Sequence, residues 1–221
     1  MAAPRSGGRP KFHADNSEMK DSVDESIVQI FADESCLGNQ FESPRPGAAA
    51  GMVERFSRRD GWQRRDYWRF DPDTTNNRMA LWSAIAGLSA LEDPSRVVFT
   101  SDSQYLVKGM KEWIHGWAER GWRRKGGSID NLDLWKRLAR TAKRHRVQWN
   151  WVRGHADHPK NEYAHELATR AAEDEESSAG LVPSEFEDWV QGQIDSGRFV
   201  DFLDLPPEEG DFEPDDPPPQ P

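Results

Sequence analysis

Ile27-Val-Gln-Ile-Phe-Ala-Asp-Glu34 sets the architecture of this chain. Five of its first six residues are apolar, which is how a central strand covered on both faces reads. The run stops on two acids, Asp33 and Glu34. Downstream, 48–56 and 63–70 read as two further strands, joined at Asp60-Gly61, a strong hairpin signal. Residues 76–92 carry Met79, Leu81, Trp82, Ile85, Leu88 and Leu91 at helical spacing and stop before Pro94. Arg96-Val-Val-Phe-Thr100 is a fourth strand, and Ser103 can cap a helix that starts at Gln104. Residues 131–145 read as a helix, 147–152 as a fifth strand and 161–172 as the last core helix. The order β-β-β-α-β-α-α-β-α implies an α/β fold with a five-stranded mixed sheet flanked by helices.

Outside that pattern the chain changes character. Residues 1–25 are rich in Gly, Pro, Ser and charge and read as a disordered N-terminal tail. Residues 26–172 form the domain. Residues 173–221 read as an acidic, Pro-rich C-terminal tail, unstructured towards its end. Within it, Phe186, Trp189, Val190 and Ile194 allow one short amphipathic helix near 184–195.

The formal net charge of -10 hides two opposite regions. The stretch from Glu173 to the end holds 16 acidic residues against a single cation, Arg198, whereas 108–146 holds 12 Lys/Arg against 4 Asp/Glu. A basic module beside an acidic tail is the electrostatic footprint of a polyanion binder, not of a uniformly acidic protein. The single cysteine, Cys36, excludes an intrachain disulfide framework and suits a reducing compartment, so a cytoplasmic location is expected. The N-terminus lacks the apolar core of a secretory signal, and no apolar run approaches the roughly 18 residues of a membrane span.

Chemistry-bearing residues gather at strand ends. Asp33 closes the first strand and Asp102 follows the fourth, where α/β sheets collect ligands and catalytic groups. Paired carboxylates there suit hard divalent cations, although a lone Asp also serves as a turn or cap residue. The loop Gly154-His-Ala-Asp-His-Pro159 brings His155 and His158 to a third strand end, as proton carriers or as plain exposed residues. Trp113, Trp117 and Trp122 interleave with Arg123, Arg124 and Lys125, a pattern fit either to stack bases and grip phosphates or to form a solvated basic helix.

Longer strings narrow this further. Ala32-Asp-Glu-Ser-Cys-Leu-Gly-Asn39, Thr74-Thr-Asn-Asn-Arg-Met79, Thr100-Ser-Asp-Ser-Gln-Tyr105, Trp113-Ile-His-Gly-Trp117, Asn131-Leu-Asp-Leu-Trp135 and Trp149-Asn-Trp-Val-Arg-Gly-His155 resemble bacterial ribonuclease HI, in order and spacing, over about 27–172. The resemblance implies the ribonuclease H-like fold and an endonuclease that hydrolyses the RNA strand of RNA–DNA hybrids with one or two Mg²⁺ or Mn²⁺ ions. It implies Asp33 and Asp102 as catalytic metal ligands and His155 as the flexible proton-handling histidine. It implies Asn39, Asn77 and Gln104 in the minor groove of the hybrid, Thr75 and Asn131 at a DNA-strand phosphate, and 113–125 as a basic protrusion. The expected partner is the hybrid itself, bound by a monomer with no membrane and no obligate protein partner.

Two of the four carboxylates usual in that family are replaced, one by Ala80 and one by His165. Alanine cannot bind a metal, and histidine brings no negative charge and suits softer ions. A third departure is Glu34, where the family has glycine. Glu34 is either a relocated metal ligand or an exposed turn residue. Since neighbouring strand residues point to opposite faces, the relocation requires the strand to end at Asp33 and twist. His165 completes the candidate metal set, and Glu162 and Glu166 are further candidates. The alternative function is a hybrid-binding protein with little or no catalysis.

Overall fold

The computed structural model describes residues 26–37, 45–154 and 158–221. Strands β1 (Val28–Cys36), β2 (Gly47–Ser57) and β3 (Gly61–Asp71) form an antiparallel meander, with Gly61 at φ 69° closing the hairpin. Helix α1 (Asn76–Ser89) leads to β4 (Arg96–Ser101), which lies parallel to β1. Helices α2 (Gln104–Lys108) and α3 (Ile114–Glu119) are joined by one wide π turn over Gly109–Trp113. Helix α4 (Leu132–Ala142) returns the chain to β5 (Arg146–Trp151), parallel to β4, and α5 (Pro159–Glu173) crosses the opposite face.

Strand alternation distributes the core. Ile30 and Ala32 join Leu81, Ile85, Phe99, Trp135 and Trp149 under α1 and α4. Phe31 turns the other way, joining Met52, Tyr163 and Leu167 under α5. The π turn brings the backbone of Gly109 against Trp135. A Cβ there would stand 2.0 Å from Cη2 of that ring, so the close approach needs glycine.

Among the described residues the sheet has six strands, not the five expected, in the order β5-β4-β1-β2-β3-β6. The extra strand, β6 (Val182–Pro183), comes from the acidic C-terminal segment and pairs with β3 at Arg65 and Asp66. Helix α6 (Phe186–Asp195) follows, and Phe186 is fully buried against Tyr163. Tyr163 donates from its hydroxyl to Asp66 Oδ2 at 2.6 Å, and the backbone N–H of Glu185 donates to both groups. The helix falls where Phe186, Trp189, Val190 and Ile194 allowed one, and the docking of the segment on the domain, which composition did not indicate, has a definite reason. Its acids find cations far away in sequence: Asp204 pairs with Arg64 and with Lys160 (2.9 Å), which together embrace the fully buried Glu54. Composition reports charge but not which side chains will meet it.

Candidate active site

Asp33 sits near the end of β1 and is buried; Asp102 follows β4; Glu34 is next to Asp33. Carboxylate oxygens of these three residues lie within 4.8 Å of one another, the one potential cation-binding cluster among the described residues. The strand does not end at Asp33, contrary to the condition set for Glu34. Pairing with β2 stays regular through Glu34↔Ala49 to Cys36↔Gly47. The parallel partner β4, however, pairs with β1 only as far as Phe31↔Thr100. Beyond that pair the β4 side of β1 is open, and acids from both faces can bend over it towards Asp102.

The two faces are marked by their neighbours. His165 and Thr169 of α5 reach Asp33 and Ser35 (3.3 Å each), whereas Glu34 lies on the face of Ala32, which packs in one cluster with the fully buried Ala80. Glu34 therefore supplies a carboxylate on the sheet face where α1 has only a methyl group. Its Oε2 is buried without a hydrogen-bond partner. Burial foremost, then the charges of Asp33 and Asp102, raises the Glu34 carboxyl well above the ordinary carboxylate range. An exposed turn residue would show neither property. The backbone N–H of Glu34 donates to Asp33 Oδ1 at 2.7 Å, which orients that carboxylate.

His165 stands beside this cluster rather than within it. Its Nδ1 lies 3.3 Å from Asp33 Oδ2, and the hydrogen bond to Asp33 is the main reason its pKa is raised. Glu162 and Glu166 are turned elsewhere: Glu162 pairs with Arg198, and Glu166 accepts from Trp189 Nε1 at 2.6 Å. His158 is the N-cap of α5, with its side chain accepting from the N–H of Asn161. Asn39 and His155 lie outside the described residues.

Gly154 shapes the other side of the cluster. A Cβ at this position would lie 2.3 Å from Asp102 Oδ2, so glycine leaves that carboxylate where it stands and a side chain would displace it. Trp151 Nε1 donates to the Asp102 carbonyl at 2.9 Å, tying the ends of β4 and β5 together.

The expected substrate residues divide into two groups. Thr75 is the N-cap of α1, Asn77 and Gln104 are exposed in the first turns of α1 and α2, and Asn131 opens α4 in the left-handed region at φ 58°. Arg78, which sequence reasoning passed over, donates from its guanidinium to Asn131 Oδ1 at 3.2 Å, while its backbone N–H donates to the Thr75 hydroxyl in the cap, so one residue links the two. Its signal was its place one turn into α1, three residues after the cap. Trp117 is a correction: it is buried against Trp135 (centroids 5.4 Å apart) and builds the protrusion from inside, whereas Trp113 and Trp122 pack on the same core while staying half-buried. Arg123, Arg124 and Lys125 remain exposed around them.

A family model described as RNase H matches residues 25–173. A Ribonuclease H of Syntrophotalea carbinolica is 49% identical over 154 residues, covering 69% of this chain and 95% of that protein. A Ribonuclease H of Acidithiobacillus ferrooxidans is 45% identical over 167 residues, covering 75% of this chain and 99% of that protein. Among solved structures, LC9-RNase H1, described as a type 1 RNase H with the type 2 active-site motif, superposes with a TM-score of 0.81. It is 43% identical and covers 90% of this chain and 96% of its own.

Proposed function

This chain belongs to the RNase H family, and on that premise we propose that it hydrolyses the RNA strand of RNA–DNA hybrids at the Asp33–Glu34–Asp102 cluster with Mg²⁺ or Mn²⁺. The observation that carries the reading is the convergence of three carboxylates, one with a buried oxygen that has no partner in the protein. Such an arrangement is costly unless a cation completes it. Three hard oxygen donors fit a hard divalent ion. Bound there, the ion would lower the pKa of the attacking water and stabilise charge on the leaving oxygen.

The residues of the chain itself do the rest. Asp33, Glu34 and Asp102 would hold the ion; the N–H of Glu34 orients Asp33, and Gly154 leaves room for the Asp102 carboxylate. His165 supports Asp33 from α5 as a hydrogen-bonding neighbour. Thr75, Arg78 and Asn131 form a polar corner suited to one phosphate, and Asn77 and Gln104 present amides that can read 2′-hydroxyls. Arg123, Arg124 and Lys125 attract the duplex by charge. LC9-RNase H1 is described as a type 1 RNase H with the type 2 active-site motif, so an active-site motif that departs from its own class has a precedent among similar proteins.

The test is cleavage of an end-labelled RNA–DNA hybrid with Mg²⁺ and with Mn²⁺, beside single-stranded RNA and duplex DNA. Hybrid-specific RNA cleavage is expected. Asp33→Asn and Asp102→Asn should each abolish it while leaving hybrid affinity within about twofold, since phosphate contacts supply most of that affinity. Tight hybrid binding with no cleavage under either metal would replace the enzyme with a binding protein. Full activity in either variant would remove the metal site.

A further inference from the structure

The C-terminal segment has two parts of different strength. Up to Leu205 it is locked, by β6, by the buried Phe186 and by Asp204 on Arg64 and Lys160. Trp62 Nε1 also donates to the Asp204 carbonyl. Residues 206–221 are different: they hold six acids, no cation and a Pro-rich backbone. They reach β5, the edge strand at the opposite end of the sheet from β6.

Two contacts define that docking. The Phe212 ring lies under two guanidiniums, 4.8 Å from Arg96 and 5.7 Å from Arg146, which are register partners on β4 and β5. Asp215 clips the strand edge. Its N–H donates to the Val147 carbonyl (2.9 Å), its Oδ2 accepts from the Trp149 N–H (2.7 Å), and its Oδ1 meets Lys111 Nζ at 3.0 Å. Glu213 adds a bond from its N–H to Gln148 Oε1. Phe212 and Phe202 differ in setting: Phe202 packs on a core cluster, while Phe212 is held chiefly by charged side chains.

A flat ring held by guanidiniums, followed by an anion held by an ammonium and a strand-edge N–H, is the pair of features one nucleotide offers. Arginine planes take bases by cation–π and stacking contact, and cations with backbone N–H groups take phosphate. Exposed Lys143, Arg144 and Arg146 continue the positive surface beyond the clip. Trp151, whose indole donates to the Asp102 carbonyl, is four positions beyond Val147, about 13 Å further along β5.

We propose that the β5 edge, with Arg96, Arg146, Lys111 and the Trp149 N–H, is a second binding site for single-stranded nucleic acid, and that Phe212 and Asp215 occupy it as a tethered mimic. Unstacked bases are required because the ring pocket accepts a free π-face, which a paired duplex does not offer. The site rests on the proposed nucleic-acid function only for the choice of polyanion. The clip is weak by construction: its ion pair is half-exposed at Lys111 and is screened by salt.

The experiment uses the full chain with Phe212→Ala and Asp215→Asn together, read against the parent by anisotropy of a labelled oligothymidylate. Opening the clip should accelerate hydrogen exchange at the Trp149 amide. It should tighten oligothymidylate binding about fivefold at low salt and steepen the log–log salt slope by about 1.4, the value for two added phosphate contacts on a single strand. Lys111→Ala with Arg146→Ala, added to the opened chain, should cancel the gain. Unchanged exchange at Trp149, no gain in affinity, or a gain that survives loss of both cations would each overturn the proposal. Equal or tighter binding of polyglutamate would overturn it in favour of an acidic polypeptide. Hybrid cleavage, measured in parallel, reports on the carboxylate cluster alone, so failure of one reading is distinguishable from failure of the other.

Discussion

Glu34→Gln should stabilise the metal-free protein while crippling the enzyme, and the two effects share one cause. The substitution keeps size and shape but removes one charge from three carboxylates whose oxygens lie within 4.8 Å. At that separation each like-charge pair costs about 3.5 kcal/mol at an effective dielectric of 20 and about 1 kcal/mol in water. Glu34 faces two such neighbours. Part of the repulsion is already relieved, because burial and the charges of Asp33 and Asp102 disfavour the charged form of Glu34 and His165 sits against Asp33. A net gain of about 1–3 kcal/mol remains, which for a chain of this size raises the melting temperature by about 2–12 °C in chelator. With Mg²⁺ the order reverses. The parent gains binding energy that the variant lacks, Mg²⁺ affinity falls about 10–100-fold by calorimetry, and hybrid cleavage falls by about two orders of magnitude or more. Melting curves in chelator and in saturating Mg²⁺, with one titration, settle it. Equal melting temperatures in chelator together with unchanged Mg²⁺ affinity would refute the relocated ligand and return Glu34 to a turn residue.

Gly154→Ala places a methyl 2.3 Å from Asp102 Oδ2; cleavage should fall about 100-fold through displacement of that carboxylate, with a melting temperature close to the parent's. Glu54→Gln leaves Arg64 and Lys160 buried with one anion fewer; the expected cost is about 3–5 kcal/mol, seen as a lowered denaturation midpoint, while the activity of the still-folded fraction at low temperature is retained.

How far the sequence carried the reading depends on how local each signal is. The apolar run into Asp33, the Asp60-Gly61 hairpin, the capping Ser103 and the apolar spacing of α1 are short-range patterns, and each appears in the structure within a few residues of its expected place. Asp33 and Asp102 were legible because strand ends collect such groups in α/β sheets. Glu34 was not decidable, since the alternation rule opposed it. What the rule lacked was the point at which β4 stops pairing with β1, a property of two strands more than 60 residues apart. Trp113 and Trp117 of the protrusion read as ligand-facing because cations flank them, but their neighbours in space include Tyr105 and Trp135. Arg78 and the tail contacts share that non-local character.

The C-terminal segment gains its meaning from sheet topology. An open sheet has two edges, each a row of unpaired backbone groups able to recruit another chain. Here one segment reaches both: β6 pairs with β3 at one end, and Asp215 bonds to Val147 and Trp149 of β5 at the other. The two contacts are unequal. At β3 a buried aromatic and a buried ion cluster reinforce the pairing. At β5 the reinforcement is an ion pair and a ring beneath two guanidiniums. A segment serving only to protect edges would gain nothing from this asymmetry. If the β5 edge must open to a polyanion while the β3 edge stays shut, the asymmetry follows, and so does the acidity of 206–221: the same negative charge that holds the clip on Lys111 repels unspecific nucleic acid until a strand with free bases and sufficient charge displaces it.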